Sequence, residues 1–99
     1  MLHIVNKSPL QTGALASCLR LAKDSHALLL TEDAVVAATR GVAESSGLTA
    51  AAKRLKVYAL APDLQARGLA DRLADGISTV DYAGFVDLVA EHATNQSWL

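Results

Sequence analysis

The sequence predicts an α/β fold: a three-layer sandwich in which a mainly parallel sheet of four to five strands carries helices on both faces. Three observations predict it. Short apolar runs at Leu2–Val5, Ala27–Leu30, Lys56–Leu60 and Ile77–Val80 recur with helical stretches between them, and strands alternating with helices read as parallel βαβ units. Ala27–Leu30 is apolar at every position, as expected of a strand covered on both faces. Nineteen alanines and sixteen leucines, with only 4% aromatic residues, supply helix formers for the covering layers.

The first run contains His3 and ends in Asn6-Lys7-Ser8-Pro9, which is turn chemistry. Ser8 with Pro9 next and Gln11 three residues on predicts a capped helix start, because serine accepts an orphan amide while proline at the first helical position loses no needed donor. Thr12 is a rival start. Leu15, Cys18, Leu19 and Ala22 then fall at i, i+3, i+4 and i+7, one helical face turned to the sheet, with Ser17 and Arg20 off the stripe.

After the second strand, Thr31 is placed to cap a helix over residues 32–39, with Glu32 and Asp33 in the first turn where the helix dipole favours negative charge. Residues 40–53 hold Gly41, Ser45, Ser46 and Gly47 with little periodicity. They read as the least ordered segment, although residues 48–55 can form a helical turn or two. Lys56–Leu60 alternates and stops at Pro62, where the next helix begins with Asp63 in its first turn and Gly68 as its stop. Asp63 and Arg67, four apart, can pair on its surface. Asp81 caps the last helix, in which Tyr82, Phe85, Val86 and Val89 repeat with helical period up to about His92. Ser97-Trp98-Leu99 is too apolar for a loose tail and allows a final short strand.

Residues 1–99 fit a single domain with one modest core. Nine basic against ten acidic residues, a net charge of −1, create no field that would draw in nucleic acid or anionic lipid, so neither is an expected partner. A single cysteine leaves no internal disulfide and points to a reducing compartment. With no basic and apolar leader and no long apolar run, the chain is expected to be cytoplasmic. Six scattered glycines make no phosphate loop or dinucleotide fingerprint, and one cysteine with three distant histidines makes no zinc pattern, so no cofactor or metal is expected.

The chemistry-bearing candidates are few. Cys18 is the one side chain able to hold sulfur as a persulfide, which demands a thiolate with an open approach. Its place on the apolar stripe argues instead for a small core residue. Ser8, His3 and Asp33 could be imagined as a triad, but no nucleophile-elbow sequence frames the serine. His3, His26 and His92 each lack a sequence partner. Trp98, with Leu99 beside it, reads as an interface anchor or as a side chain docked on its own domain. A mean hydropathy of +0.26 leaves apolar surface over once one small core is filled, which favours an obligate partner.

Leu2-His3, Asn6-Lys7-Ser8-Pro9, Ala66-Arg67-Gly68-Leu69, Asp81-Tyr82-Ala83-Gly84-Phe85-Val86 and Ser97-Trp98-Leu99, in that order and spacing, resemble the TusB/DsrH family of sulfur-relay subunits from end to end. The resemblance implies a DsrE/F-like fold and a heterohexamer with TusC/DsrF-like and TusD/DsrE-like subunits. It further implies persulfide sulfur passing through that complex from a TusA-like donor to a TusE/DsrC-like acceptor, serving either tRNA 2-thiouridine formation or dissimilatory sulfur oxidation. The main carrier cysteine it implies lies on the TusD/DsrE-like chain. Ser17-Cys18-Leu19 is more similar to the DsrH branch and so leaves Cys18 an auxiliary thiol role. Whether this chain transfers sulfur itself or only shapes the complex is left open by the resemblance.

Overall fold

The computed structural model describes residues 1–98. Strands β1 (Leu2–Val5), β2 (Ala27–Leu30), β3 (Lys56–Leu60), β4 (Ile77–Val80) and β5 (Asn95–Trp98) form one sheet in the order β4-β3-β2-β1-β5. Every neighbouring pair is parallel. Helices α1 (Ala14–Leu21), α2 (Arg40–Ser45), α3 (Leu48–Ala51), α4 (Ala61–Ala66) and α5 (Tyr82–Glu91), with 3₁₀ segments Glu32–Ala38 and Ala70–Arg72, make the connections. The expected α/β class with a parallel five-stranded sheet is therefore what the chain adopts.

The register explains why β2 is apolar throughout. His3, Leu28, Val57 and Ile77 lie across one row, and Ile4, Leu29 and Tyr58 across the next, so successive side chains of β2 enter different cores. On one face Val5, Leu28, Leu30, Val57 and Ala59 pack with Leu15 and Cys18 of α1, with Ala34 and Val35, and with Ala43 and Leu48. On the other face Leu2, Ala27 and Leu29 pack only with Leu88 of α5, flanked by Ile4, Tyr58, Val80 and Phe85. The two layers are unequal.

Topology causes the inequality. The chain steps from β1 to β4 in one direction across the sheet, and right-handed crossovers in one direction place all their helices on one face. Only the return from β4 to β5 runs the other way, so α5 alone lands on the opposite face.

Several local expectations are corrected. The first helix starts at neither Ser8 nor Thr12: Gly13 occupies its N-cap. Ser8 instead closes a turn, its hydroxyl accepting from the Leu10 N–H at 3.1 Å and its carbonyl accepting from Gln11 and Thr12, each at 3.1 Å. The helix expected over residues 32–39 is a 3₁₀ segment without a Thr31 side-chain cap. Its small residues Ala34, Ala37 and Ala38 are fully buried under the tighter winding, and Glu32 sits at φ +51° with its N–H held by the Asp63 carboxylate at 2.6 Å. Residues 40–53 are ordered as α2 and α3, joined at Gly47 in the left-handed region. Buried Ala43, Leu48 and Ala51 supply by tertiary packing what periodicity did not reveal. Other readings hold. Gly68, at φ +67°, terminates α4 with Leu69 N–H reaching the Leu64 carbonyl at 2.9 Å, and the Asp81 carboxylate caps α5 by accepting from the Gly84 N–H at 2.7 Å.

Leu28→Ala, in the doubly covered strand, lowers unfolding stability by about 2–5 kcal/mol, read from the urea midpoint. Val86→Ala, on the exposed side of α5, changes it by less than about 0.5 kcal/mol.

Candidate functional site

Cys18 lies where its helical stripe put it. It is wholly buried beside Leu15 and Ala22, and that burial pushes its thiol up to about 12. A thiol so placed stays protonated near neutrality and offers no line of attack to a donor persulfide. Ser8, His3 and Asp33 are not brought together: the Ser8 hydroxyl serves its own turn, and Asp33 accepts from the Arg67 guanidinium at 2.9 Å. Arg67 also lies 3.9 Å from Asp63, so the expected pair forms, but the shorter bond ties α4 to the 3₁₀ segment.

The structure does assemble a polar cluster, at the amino ends of β1 and β2, which the Trp98 side chain reaches from the last position of β5. The Trp98 indole Nε1–H donates to His3 Nδ1 at 3.1 Å. Indole can only donate, so neutral His3 carries its proton on Nε2. That nitrogen lies 2.9 Å from His26 Nδ1, which therefore accepts, and which also accepts the Lys23 backbone N–H at 3.2 Å. His26 in turn keeps its proton on Nε2. Both tautomers follow from the hydrogen-bond network.

Protonating either ring would put a proton where a donor already points. Burial, first, and then the positive charges of His26 and the N-terminus hold His3 below its ordinary value of 6.5. Burial, then the N-terminal ammonium, Lys23 and His92 lower His26 in the same way. The pair opens on a cleft of about 560 Å³ lined by Met1, Leu21, Lys23, Thr94, Gln96 and Trp98. No local pattern announced this cluster, because its members are 23 and 95 residues apart.

Trp98 is half-buried, packed at the edge of the larger core as well as bonded to His3. Leu99, the other expected interface residue, lies outside the described residues. Among the described residues no group of three His, Cys, Asp or Glu side chains could hold a metal ion, and no helix is long and apolar enough to cross a membrane.

The periodic stripe of α5 faces mostly outward. Tyr82 is 62% exposed and Val86 65%, Val89 lies beside them at 36%, and Leu88 alone of this helix is buried. Periodicity revealed the helix but not which side of it the fold would cover.

Residues 7–95 match the family described as DsrH like protein. The chain is 41% identical to Protein TusB of Escherichia coli O81 (strain ED1a) over 98 residues, covering 99% of this chain and 100% of that one. Protein TusB of Escherichia coli (strain SMS-3-5 / SECEC) is 40% identical with the same coverage. Among solved structures, the fold is similar to MTH1491 of Methanobacterium thermoautotrophicum, a protein of unknown function, with a TM-score of 0.73 at 18% identity over 97% of this chain and 95% of that one. It is also similar to the ychN protein of E. coli, with a TM-score of 0.71 at 19% identity over 97% of each chain.

Two outcomes test this site. Native Cys18 resists a thiol reagent at about pH 8 and reacts at the rate of a free thiol only once the chain is unfolded; rapid native labelling would contradict its burial. Because both histidines titrate below 6.5 when folded, the unfolded chain binds more protons at mildly acidic pH. Their contribution is complete above pH 6.5 and is lost as pH falls below it toward the folded values. Urea midpoints measured across that interval therefore decline with acid, and less so in His26→Gln.

Proposed function

The chain belongs to the DsrH-like family, and from that premise we propose that it is a subunit of a cytoplasmic, TusBCD-like heterohexameric sulfur-relay complex. In this reading it supports persulfide transfer for tRNA wobble-uridine 2-thiolation and is structural rather than the main sulfur carrier. The carrier thiol belongs to a partner chain, TusC-like and TusD-like subunits complete the assembly, and a TusE-like acceptor draws sulfur from it.

The observation that carries the reading is the apolar, outward stripe Tyr82, Val86 and Val89 on the one helix that covers the thinner face of the sheet. Exposed apolar surface next to an underfilled core is what a permanent subunit interface presents before its partner arrives. The buried Cys18 thiol supports the non-catalytic half of the proposal.

A second reading has its own observation. The presence of Cys18 on the first helix favours a DsrH-type subunit of a DsrEFH complex in dissimilatory sulfur oxidation, with Cys18 as an auxiliary persulfide thiol. Loading the purified assembly with a persulfide donor and weighing each intact subunit separates the two. The structural reading expects added sulfur on a partner only; added sulfur on this chain, lost in Cys18→Ser, favours the second. For the interface, Val86→Asp leaves the isolated fold intact and weakens assembly by about tenfold or more, since a charge must then be desolvated at an apolar contact. Unchanged assembly in sedimentation would count against α5 as the contact.

A further inference from the structure

The cluster of His3, His26 and Trp98 has a chemistry that the sulfur-relay reading does not use. His26 Nδ1 is filled by two donors, the Lys23 N–H and His3 Nε2–H, so Nε2–H is the hydrogen-bonding group this ring has left to offer. Among the described residues the charges that bear on it are positive: the Met1 ammonium, Lys23 from the loop after α1, and His92 at the end of α5. Asp24, the nearest acid in sequence, lies 3.7 Å from Arg54 instead, and among the described residues no acidic side chain lines the cleft. A chain with a net charge of −1 has thus gathered cations around one imidazole donor. The rest of the lining is Leu21, Met1 and Trp98 with Thr94 and Gln96, and Leu21 is 64% exposed. The cleft also adjoins β5, the open edge of the sheet, through Gln96 and Trp98.

We propose that this cleft is a docking site for an acidic segment of a partner protein, whose Asp or Glu carboxylate accepts the His26 Nε2–H between the Met1 and Lys23 ammonium groups while its apolar neighbours cover Leu21 and Trp98. Charge complementarity selects the carboxylate, and the apolar rim selects a peptide over a bare ion. Burial, first, and then the neighbouring cations disfavour protonation of His26 in the free chain; the incoming carboxylate offsets the cations, so docking and proton uptake are linked.

The proposal rests on the chain having partner subunits, and the test separates the two. The assembly is purified with this chain alone carrying ¹³C-histidine, the His26 signal is identified by its loss in His26→Gln, and its titration is followed by NMR in chloride buffer. The docked carboxylate predicts a midpoint higher than that of the free chain, by about one pH unit. A midpoint at or below that of the free chain in an intact assembly overturns the docking site and leaves the subunit reading standing. A midpoint raised in phosphate or sulfate but not in chloride overturns it too, because the occupant is then an inorganic anion. If no assembly forms, the subunit reading fails and this inference with it. As a second measurement, Lys23→Glu on the exposed loop reduces partner affinity several-fold; unaltered affinity contradicts the proposal.

Discussion

The rest of the structure depends on the handedness of the crossovers in a parallel sheet. Four strands laid down in one direction oblige their connections to one face, and the chain has only the β4 to β5 return with which to cover the other. One helix, running back along the strands it connects, is about 10–12 Å wide with its side chains, against a five-stranded sheet about 19 Å across. A single such helix cannot cover that face. The apolar residues at its border, Ile4, Tyr58 and Phe85, are left part-buried, and the outer stripe of α5 extends the same apolar surface into solvent. A requirement for other chains is thus built into the strand order itself.

The same constraint accounts for the absence of an accessible thiol. Cys18 lies on the well-covered face, under a layer built of α1, three further short helices and a 3₁₀ segment. Any chemistry at that sulfur requires α1 to move away from the sheet, breaking the packing of Leu15 and Ala22. The polar equipment lies elsewhere, at the amino ends of β1 and β2, where Trp98, reaching back from the end of the edge strand, is tied to His3 and through it to His26. That chain of hydrogen bonds fastens β5 to β1 by side chains as well as by backbone pairing.

Much of the fold was legible in the residues because the relevant physics is local. Continuous apolarity marked β2, the i, i+3, i+4, i+7 stripe marked the buried face of α1, and Asp81 and Gly68 marked a helix start and stop by their capping chemistry. What was not legible depended on distant partners. The helices over residues 40–51 have weak periodicity and exist because Ala43 and Leu48 are buried by the sheet. Glu32 accepts its positive φ because Asp63, thirty-one residues on, holds its amide. The His3, His26 and Trp98 cluster needs three strands side by side before any of its bonds can form. Tyr82, Val86 and Val89 gave the period of a helix correctly, yet period alone does not say whether a stripe turns to its own core or to another chain.

Side-chain footprinting of this chain alone and in its purified assembly tests the central claim most directly. If the fold leaves its thinner face for partners, Tyr82, Val86 and Val89 lose reactivity on assembly while exposed residues of α2 keep theirs. Unchanged labelling of α5, with protection falling on the α2 side of the molecule instead, would contradict the account.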